Sequence, residues 1–193
     1  MSMITTPRYA LLMIDLINDL EFPSGVDLLP HALEAAHHVA LLKKQIKKLG
    51  VPVIYVNDNY GRWQSDFRHL VSHCLQEEVR GKPLAEMMKP DEDDYFILKP
   101  QYSGFFATPL DLLLTHLNVN SLILTGVTGD MCVQFTANDA YMRKYSLFIP
   151  SDCVASHTNE INQRALHTMK EVVKADISSS SVLLEQIKSP TIN

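Results

Sequence analysis

Short runs of apolar residues alternate along this chain with stretches in which apolar residues recur at helical spacing. The runs are little broken by polar residues, which is typical of strands buried on both faces of a parallel sheet. We predict strands at residues 9–14, 51–56, 95–98, 121–124 and 145–149, with a short last strand at 175–177. Helices are predicted at residues 30–49, 110–117, 136–144 and 159–173, and residues 61–89 are expected to be irregular. This alternation predicts a three-layer α/β/α fold with a mainly parallel, Rossmann-like sheet of about six strands.

The composition is that of a globular chain with one core. Of its 193 residues, 46% are hydrophobic and 20% are charged, so we treat residues 1–193 as a single domain. The net charge of −5 comes from 17 basic and 22 acidic residues without a basic stripe, so neither nucleic acid nor a membrane is an expected partner. There is no basic-then-apolar leader and no apolar run approaching ~18 residues, and we expect a cytoplasmic protein.

Three predicted strand ends carry chemically active side chains. Asp15 closes the first strand, Lys99 closes the third, and Cys132 follows the fourth at the first turn of a helix. Ligands bind outside the carboxyl ends of strands in open parallel sheets, so we expect these side chains to share one edge. A helix N-terminus stabilises a thiolate, and we expect the pKa of Cys132 to lie below the value of about 8.5 for a free thiol.

Each of these residues also has an ordinary structural interpretation. Cys132 would be a small apolar core residue, Asp15 a helix cap and Lys99 a surface lysine. We assign Cys74 and Cys153 to the core. The three thiols lie far apart without C-x-x-C spacing, which argues against a disulfide framework or a zinc ribbon.

The order and spacing of these residues resemble those of the isochorismatase-like cysteine hydrolases, the superfamily that includes nicotinamidases and N-carbamoylsarcosine amidase. The matching segments are LLMIDLIND at residues 11–19, KPQYSGF at 99–105, TGVTGDMCV at 125–133 and TANDA at 136–140. Each segment alone is a weak match, but together they cover most of the chain, roughly residues 9–177, in the right order.

The resemblance implies a role for each strand-end residue. Cys132 would be the nucleophile, Asp15 its general base and later acid, and Lys99 a cationic partner that orients the carboxylate. The implied reaction is hydrolysis of a C–N bond in a small amide, carbamoyl or ureido compound through a Cys132 thioester, with no cofactor. The resemblance also implies a cis peptide bond at Val127-Thr128 and an oxyanion hole formed by the backbone N–H groups of Thr128 and Cys132.

Metal binding is a separate question, because nicotinamidases of this superfamily hold a divalent ion with an Asp-x-His pair and further histidines. Asp58 fits that pair, but Tyr60 stands at the histidine position, which argues against nicotinamidase itself. His69 and His73 have the i, i+4 spacing of one helical face. We expect no metal and leave open whether Asp58 with His69 and His73 binds one.

Residues close to the strand ends are candidates for the substrate pocket. They are Leu20, Phe22, Tyr60 and Trp63 as walls and Asp58 as a polar contact, with Arg62 or Arg68 as a partner for a substrate carboxylate. Two other functions stay open. An isochorismatase-type hydrolase of vinyl ethers would not need Cys132, and a non-catalytic small-molecule-binding domain would keep only the fold. The resemblance further implies a homo-oligomer, either a dimer or a tetramer.

Overall fold

The computed structural model of the protein describes residues 8–61, 63 and 66–189. Its strands are β1 (Tyr9–Ile14), β2 (Val53–Asp58), β3 (Tyr95–Lys99), β4 (Ser121–Val127), β5 (Ser146–Phe148) and β6 (Val154–Ala155). Its α-helices are α1 (Gly25–Lys48), α2 (Phe67–Cys74), α3 (Lys82–Met87), α4 (Leu110–His116), α5 (Gln134–Met142), α6 (Asn159–Val173) and α7 (Ser180–Lys188). A π-helical turn, Gly129–Val133, joins β4 to α5.

The six strands form one parallel sheet. Its order is β3-β2-β1-β4-β5, and β6 pairs with β4 alongside the last two residues of that strand. In the centre, Ile14 of β1 is in register with Val56 of β2 and with Gly126 of β4. The carboxyl ends of β1, β2 and β4 therefore meet at one edge, which is where the candidate residues were expected.

Apolar side chains cover both faces of this sheet. One face packs against Leu42 of α1 and Leu183 of α7. The other packs against Leu114 of α4, Ala137 of α5 and Leu166 of α6. The predicted three-layer α/β/α architecture with a parallel sheet is confirmed. Helical spacing of apolar residues on α1, α4, α5 and α6 is what made these layers predictable.

Several elements differ from the sequence prediction. Residues 61–89 are not wholly irregular, because they contain α2 and α3, and the Asp66 side chain caps α2 by accepting a hydrogen bond from the His69 amide (2.9 Å). The strand expected at 175–177 is a single bridge between Phe148 and Asp176, and α7 follows it. β6 was missed, since a strand of two residues shows no periodicity. Within the described part of the chain, no helix combines the length and apolarity needed to cross a membrane.

Candidate active site

Asp15 is the first residue beyond β1 and has a left-handed backbone conformation, with φ at 51°. Aspartate tolerates this region better than most residues, and such conformations cluster at functional sites. Its amide still donates to the Val56 carbonyl (3.0 Å), so the sheet ladder continues up to this residue. Its Oδ1 accepts a hydrogen bond from the Asp58 amide (2.7 Å), which fixes the carboxylate at the sheet edge.

Lys99 ends β3 and is completely buried. Its Nζ lies 2.9 Å from Asp15 Oδ2 and 3.6 Å from Asp58 Oδ2. The same Nζ donates to Cys132 Sγ at 3.4 Å. A buried ammonium is tolerated only when it is paired, and this one is paired on two sides. The structure thus brings together Asp15, Lys99 and Cys132, which we call the strand-end cluster.

Cys132 is the fourth residue of the π-helical turn, a type of turn that is frequent at functional sites. Thr128 precedes the turn, and its carbonyl accepts hydrogen bonds from the amides of Met131 and Val133 (both 3.2 Å). The Cys132 carbonyl accepts a hydrogen bond from Thr136 Oγ1 (2.7 Å). The backbone on both sides of the thiol is therefore held by local hydrogen bonds.

The peptide bond between Val127 and Thr128 is cis, as the resemblance led us to expect. The preceding residue, Gly126, has φ at +121°, which side chains other than hydrogen rarely permit. A Cβ at Gly126 would lie only 1.9 Å from the carbonyl oxygen of Ile14. Glycine is therefore required where β4 passes closest to the end of β1.

The electrostatics of the strand-end cluster differ from the sequence expectation at the thiol. Burial raises the pKa of Cys132, the Asp15 carboxylate raises it further, and the Lys99 ammonium opposes both. The expected low thiol pKa is therefore wrong, because burial and the neighbouring carboxylate together outweigh the lysine. A raised pKa favours the neutral thiol over the thiolate at rest.

The two charged members of the cluster are also perturbed. Burial raises the pKa of Asp15, while Lys99 and the hydrogen bond with Cys132 counteract part of that rise. Burial alone would lower the pKa of Lys99, but the charges of Asp15 and Cys132 and the hydrogen bond to Asp15 raise it. The cluster therefore combines a neutral thiol, a firmly protonated lysine and a carboxylate of increased proton affinity.

The Isochorismatase domain family model matches residues 9–180 of this chain. The protein belongs to the isochorismatase family. YaaI of Bacillus subtilis, an uncharacterised isochorismatase family protein, is 42% identical over 177 residues, which cover 92% of this chain and 97% of YaaI.

Two solved structures are similar to this isochorismatase-family chain. The nicotinamidase SaPncA from Staphylococcus aureus aligns with a TM-score of 0.70 and 23% identity, covering 90% of this chain and 100% of that one. The N-carbamoylsarcosine amidase from Thermoplasma acidophilum aligns with a TM-score of 0.70 and 24% identity, covering 90% and 96%. At these identities the similarity supports the fold.

Each of the two histidines considered as metal ligands pairs with a carboxylate in this isochorismatase-family structure. His73 Nε2 lies 3.1 Å from Asp19 Oδ2, and His69 Nδ1 lies 3.2 Å from Asp66 Oδ1. Asp58 instead directs Oδ2 toward Lys99.

Converging ligand atoms occur at another place in the described part of the chain. Among residues 8–61, 63 and 66–189, the only group of three or more acidic, histidine or cysteine side chains with converging atoms is Asp91, Asp93 and Asp94. Lys47 Nζ already lies 2.6–2.8 Å from all three of these carboxylates. Beside Asp58, Tyr60 stands where the Asp-x-His pair of the nicotinamidases has its histidine, so that pair is incomplete in this chain.

The candidate pocket walls occupy different environments. Leu20 is completely buried in the core, so the structure does not place it on an open pocket surface. Trp63 is 78% exposed, while Phe22 is half-buried. Tyr60 is partly exposed as a residue, but burial of its hydroxyl and the carboxylates of Asp15 and Asp19 raise the pKa of that hydroxyl well above the ordinary value.

Tyr60 and Asp58 line a small cavity of about 60 Å³ beside the strand-end cluster. They therefore remain candidates for substrate contact. Of the two arginines proposed to bind a substrate carboxylate, Arg68 is exposed on α2, and Arg62 lies outside the described residues.

His157 is a residue of this edge that the sequence did not single out. It follows β6 by two residues, and Ala155 of β6 is in register with Val127 beside the cis peptide bond. Its ring packs edge-on against Phe22, with 6.4 Å between ring centroids. Its Nε2 is buried and has no hydrogen-bond partner in the part of the chain described. Because β6 was not predicted, nothing in the sequence placed His157 at this edge of the sheet.

Proposed function

We propose that the protein is a cysteine hydrolase that cleaves the C–N bond of a small amide, carbamoyl or ureido compound. The observation that carries this proposal is the contact of Lys99 Nζ with both Asp15 Oδ2 (2.9 Å) and Cys132 Sγ (3.4 Å). A nucleophile in contact with a base and a charged partner is the arrangement that covalent catalysis requires. Support for the substrate class comes from the two structural neighbours, which are named as amidases.

In the proposed reaction, Cys132 loses its proton only as it attacks. Its raised pKa keeps it a thiol at rest, and its hydrogen bond with Asp15 provides the path for the proton. As Sγ forms a bond to the substrate carbonyl carbon, the Asp15 carboxylate accepts the thiol proton. Lys99 remains protonated and stays beside both groups throughout.

The tetrahedral intermediate then breaks its C–N bond. Protonated Asp15 delivers its proton to the leaving nitrogen, so that ammonia or an amine departs and a Cys132 thioester remains. A water molecule, deprotonated by Asp15, attacks the thioester, and the C–S bond breaks as the thiol regains its proton. The Thr128 and Cys132 backbone N–H groups are the proposed donors to the oxyanion of each intermediate.

Ammonia release from a panel of small amides, carbamoyl amino acids and ureido acids tests this proposal. Cys132→Ala should abolish release, whereas the matched Cys153→Ala, which removes a fully buried thiol, should retain it. Release that persists in Cys132→Ala would contradict the cysteine mechanism and would favour chemistry through Asp15 alone. A wild-type protein that releases no ammonia from any member of the panel would contradict the proposed substrate class.

A further inference from the structure

A buried amide on α6 contacts the element that carries the thiol. Asn162 lies in the first turns of α6 and is only 9% exposed. Its Nδ2 donates to the Val154 carbonyl of β6 (2.9 Å), and its Oδ1 accepts from Ser156 Oγ (3.3 Å). Both sides of the amide are therefore used, which fixes its orientation between α6 and β6.

The oxygen of this amide packs directly against Gly129, the first residue of the π-helical turn. A Cβ built on Gly129 would lie 2.5 Å from Asn162 Oδ1, 3.0 Å from Ser156 Oγ and 2.9 Å from Val154 Cγ1. Real Cβ atoms do not approach so closely, so Gly129 fills the space that these three groups leave. Any displacement of Asn162 would open a gap behind the turn.

The same side chain is linked through the sheet to the end of β4, the strand that leads into the turn. Val154, whose carbonyl Asn162 holds, is in register with Gly126 of β4. The Gly126 amide in turn donates to the Cys153 carbonyl (2.9 Å). The segment from Gly126 to Cys132 is therefore held by β6 at its start and pressed by the Asn162 amide at Gly129.

We infer that Asn162 is a positioning residue that holds the Cys132 turn in place against β6, so that the thiol stays within reach of Asp15 and Lys99. Asn162 touches neither the thiol nor the other two members of the strand-end cluster, and it would act only through Gly129 and Val154. The consequence for turnover rests on the proposed function, whereas the consequence for the reactivity of the thiol does not.

Two variants separate positioning from simple stability. Asn162→Ala removes both hydrogen bonds, and Asn162→Asp keeps the volume while replacing the Nδ2 donor with an oxygen that faces the Val154 carbonyl. Both should lower kcat by at least about tenfold and leave KM within about twofold, because small displacements of a nucleophile have large kinetic costs.

The matched control is Asn159→Ala, which replaces an exposed asparagine three residues earlier on the same helix and should match the wild type. Circular dichroism and thermal melting identify an assay temperature at which every variant is folded. If Asn162→Ala does not fold, Asn162→Asp alone tests whether Asn162 positions the Cys132 turn.

The rate of Cys132 alkylation by iodoacetamide at one fixed, mildly alkaline pH, followed by mass spectrometry, gives a second readout that needs no substrate. This rate depends on how close the thiol lies to Asp15 and Lys99, so it should change in both Asn162 variants and not in Asn159→Ala. Wild-type kcat together with a wild-type alkylation rate in both folded variants would overturn the inference while leaving the proposed function intact. If the wild type turns over no substrate, the proposed function fails, and the alkylation rates still decide the role of Asn162.

Discussion

Replacing Lys99 by methionine should destabilise the protein in a pH-dependent way. Lys99 is fully buried and lies 2.9 Å from Asp15, whose side chain is only 6% exposed. Removing one partner of a buried ion pair leaves the other charge unpaired, which typically costs about 3–5 kcal/mol. For a chain of this size, that loss corresponds to a fall in melting temperature of roughly 6–20 °C.

The sign of the pH dependence follows from the Asp15 carboxyl group. Burial already raises its folded-state pKa above the unfolded value, and Lys99 is the main group that lowers it. A carboxyl group with a raised folded pKa contributes stability at low pH that is lost as the pH rises through that folded pKa. Without Lys99 the folded pKa rises further, so the loss should be largest near neutral pH and smallest in acid, where Asp15 is protonated.

Urea unfolding at about pH 5 and about pH 8 measures this effect. The double variant Lys99→Met with Asp15→Asn removes both charges and should recover most of the stability lost at the higher pH. Lys82→Met, which removes a lysine paired with exposed Glu77 and Glu86, is the control and should barely move the midpoint. Equal midpoints for Lys99→Met and the wild type at both pH values would refute the reasoning.

Three further predictions concern the same edge of the sheet. Asp15→Asn should stop turnover. It should also raise the rate of Cys132 alkylation near neutral pH by about tenfold or more, because the Asp15 carboxylate raises the pKa of the thiol. An unchanged alkylation rate, measured by peptide mapping, would contradict that electrostatic role. The folded-state pKa of Cys132 is raised above the unfolded value, so its contribution to stability is lost as the pH rises above about 8.5, reaching ~2 kcal/mol by about pH 10. Cys132→Ser should show a smaller loss between about pH 8 and 10 in denaturant titrations, and a loss equal to the wild type would argue against a buried neutral thiol. Gly126→Ala should prevent stable folding, because its Cβ would meet the Ile14 carbonyl. Gly50→Ala carries the strain of a positive φ (73°) but has open space around its Cβ, so it should be less stable yet remain folded by circular dichroism.

The strand-end residues were predictable because their positions depend on regular structure. Apolar runs end at Asp15 and Lys99, and a glycine-rich turn leads from another run to Cys132. Parallel strands place such ends along one edge, so three residues far apart in sequence were expected to meet. The structure has Lys99 in contact with both of the others.

The pKa of the thiol was not predictable in the same way. A local pattern shows that Cys132 begins a helical segment, and this argues for a low pKa. The structure adds burial and the Asp15 carboxylate, both of which raise it. These contributions depend on side-chain distances across three strands, and no local sequence pattern contains them.

Short and irregular elements were the other source of error. α2 and α3 are too short to show a clear period in a segment that contains Pro83, and β6 has only two residues. Missing β6 also concealed His157 and the partner of Asn162, because both are placed by that strand. The error in secondary structure therefore also hid the side chains that pack around β6.

A neutral thiol also accounts for the burial of the strand-end cluster. A resident thiolate beside Asp15 would place two negative charges around one ammonium, and burial would disfavour both. With the proton on sulfur, the cluster at rest holds one carboxylate and one ammonium, which pair at 2.9 Å. In the proposed reaction the thiol proton moves to Asp15 while negative charge moves from sulfur to the substrate oxygen. Asp15 and Cys132 are therefore never both negatively charged beside Lys99. Burial, which makes the thiol a poor nucleophile at rest, thus favours a mechanism in which Asp15 removes the proton during attack.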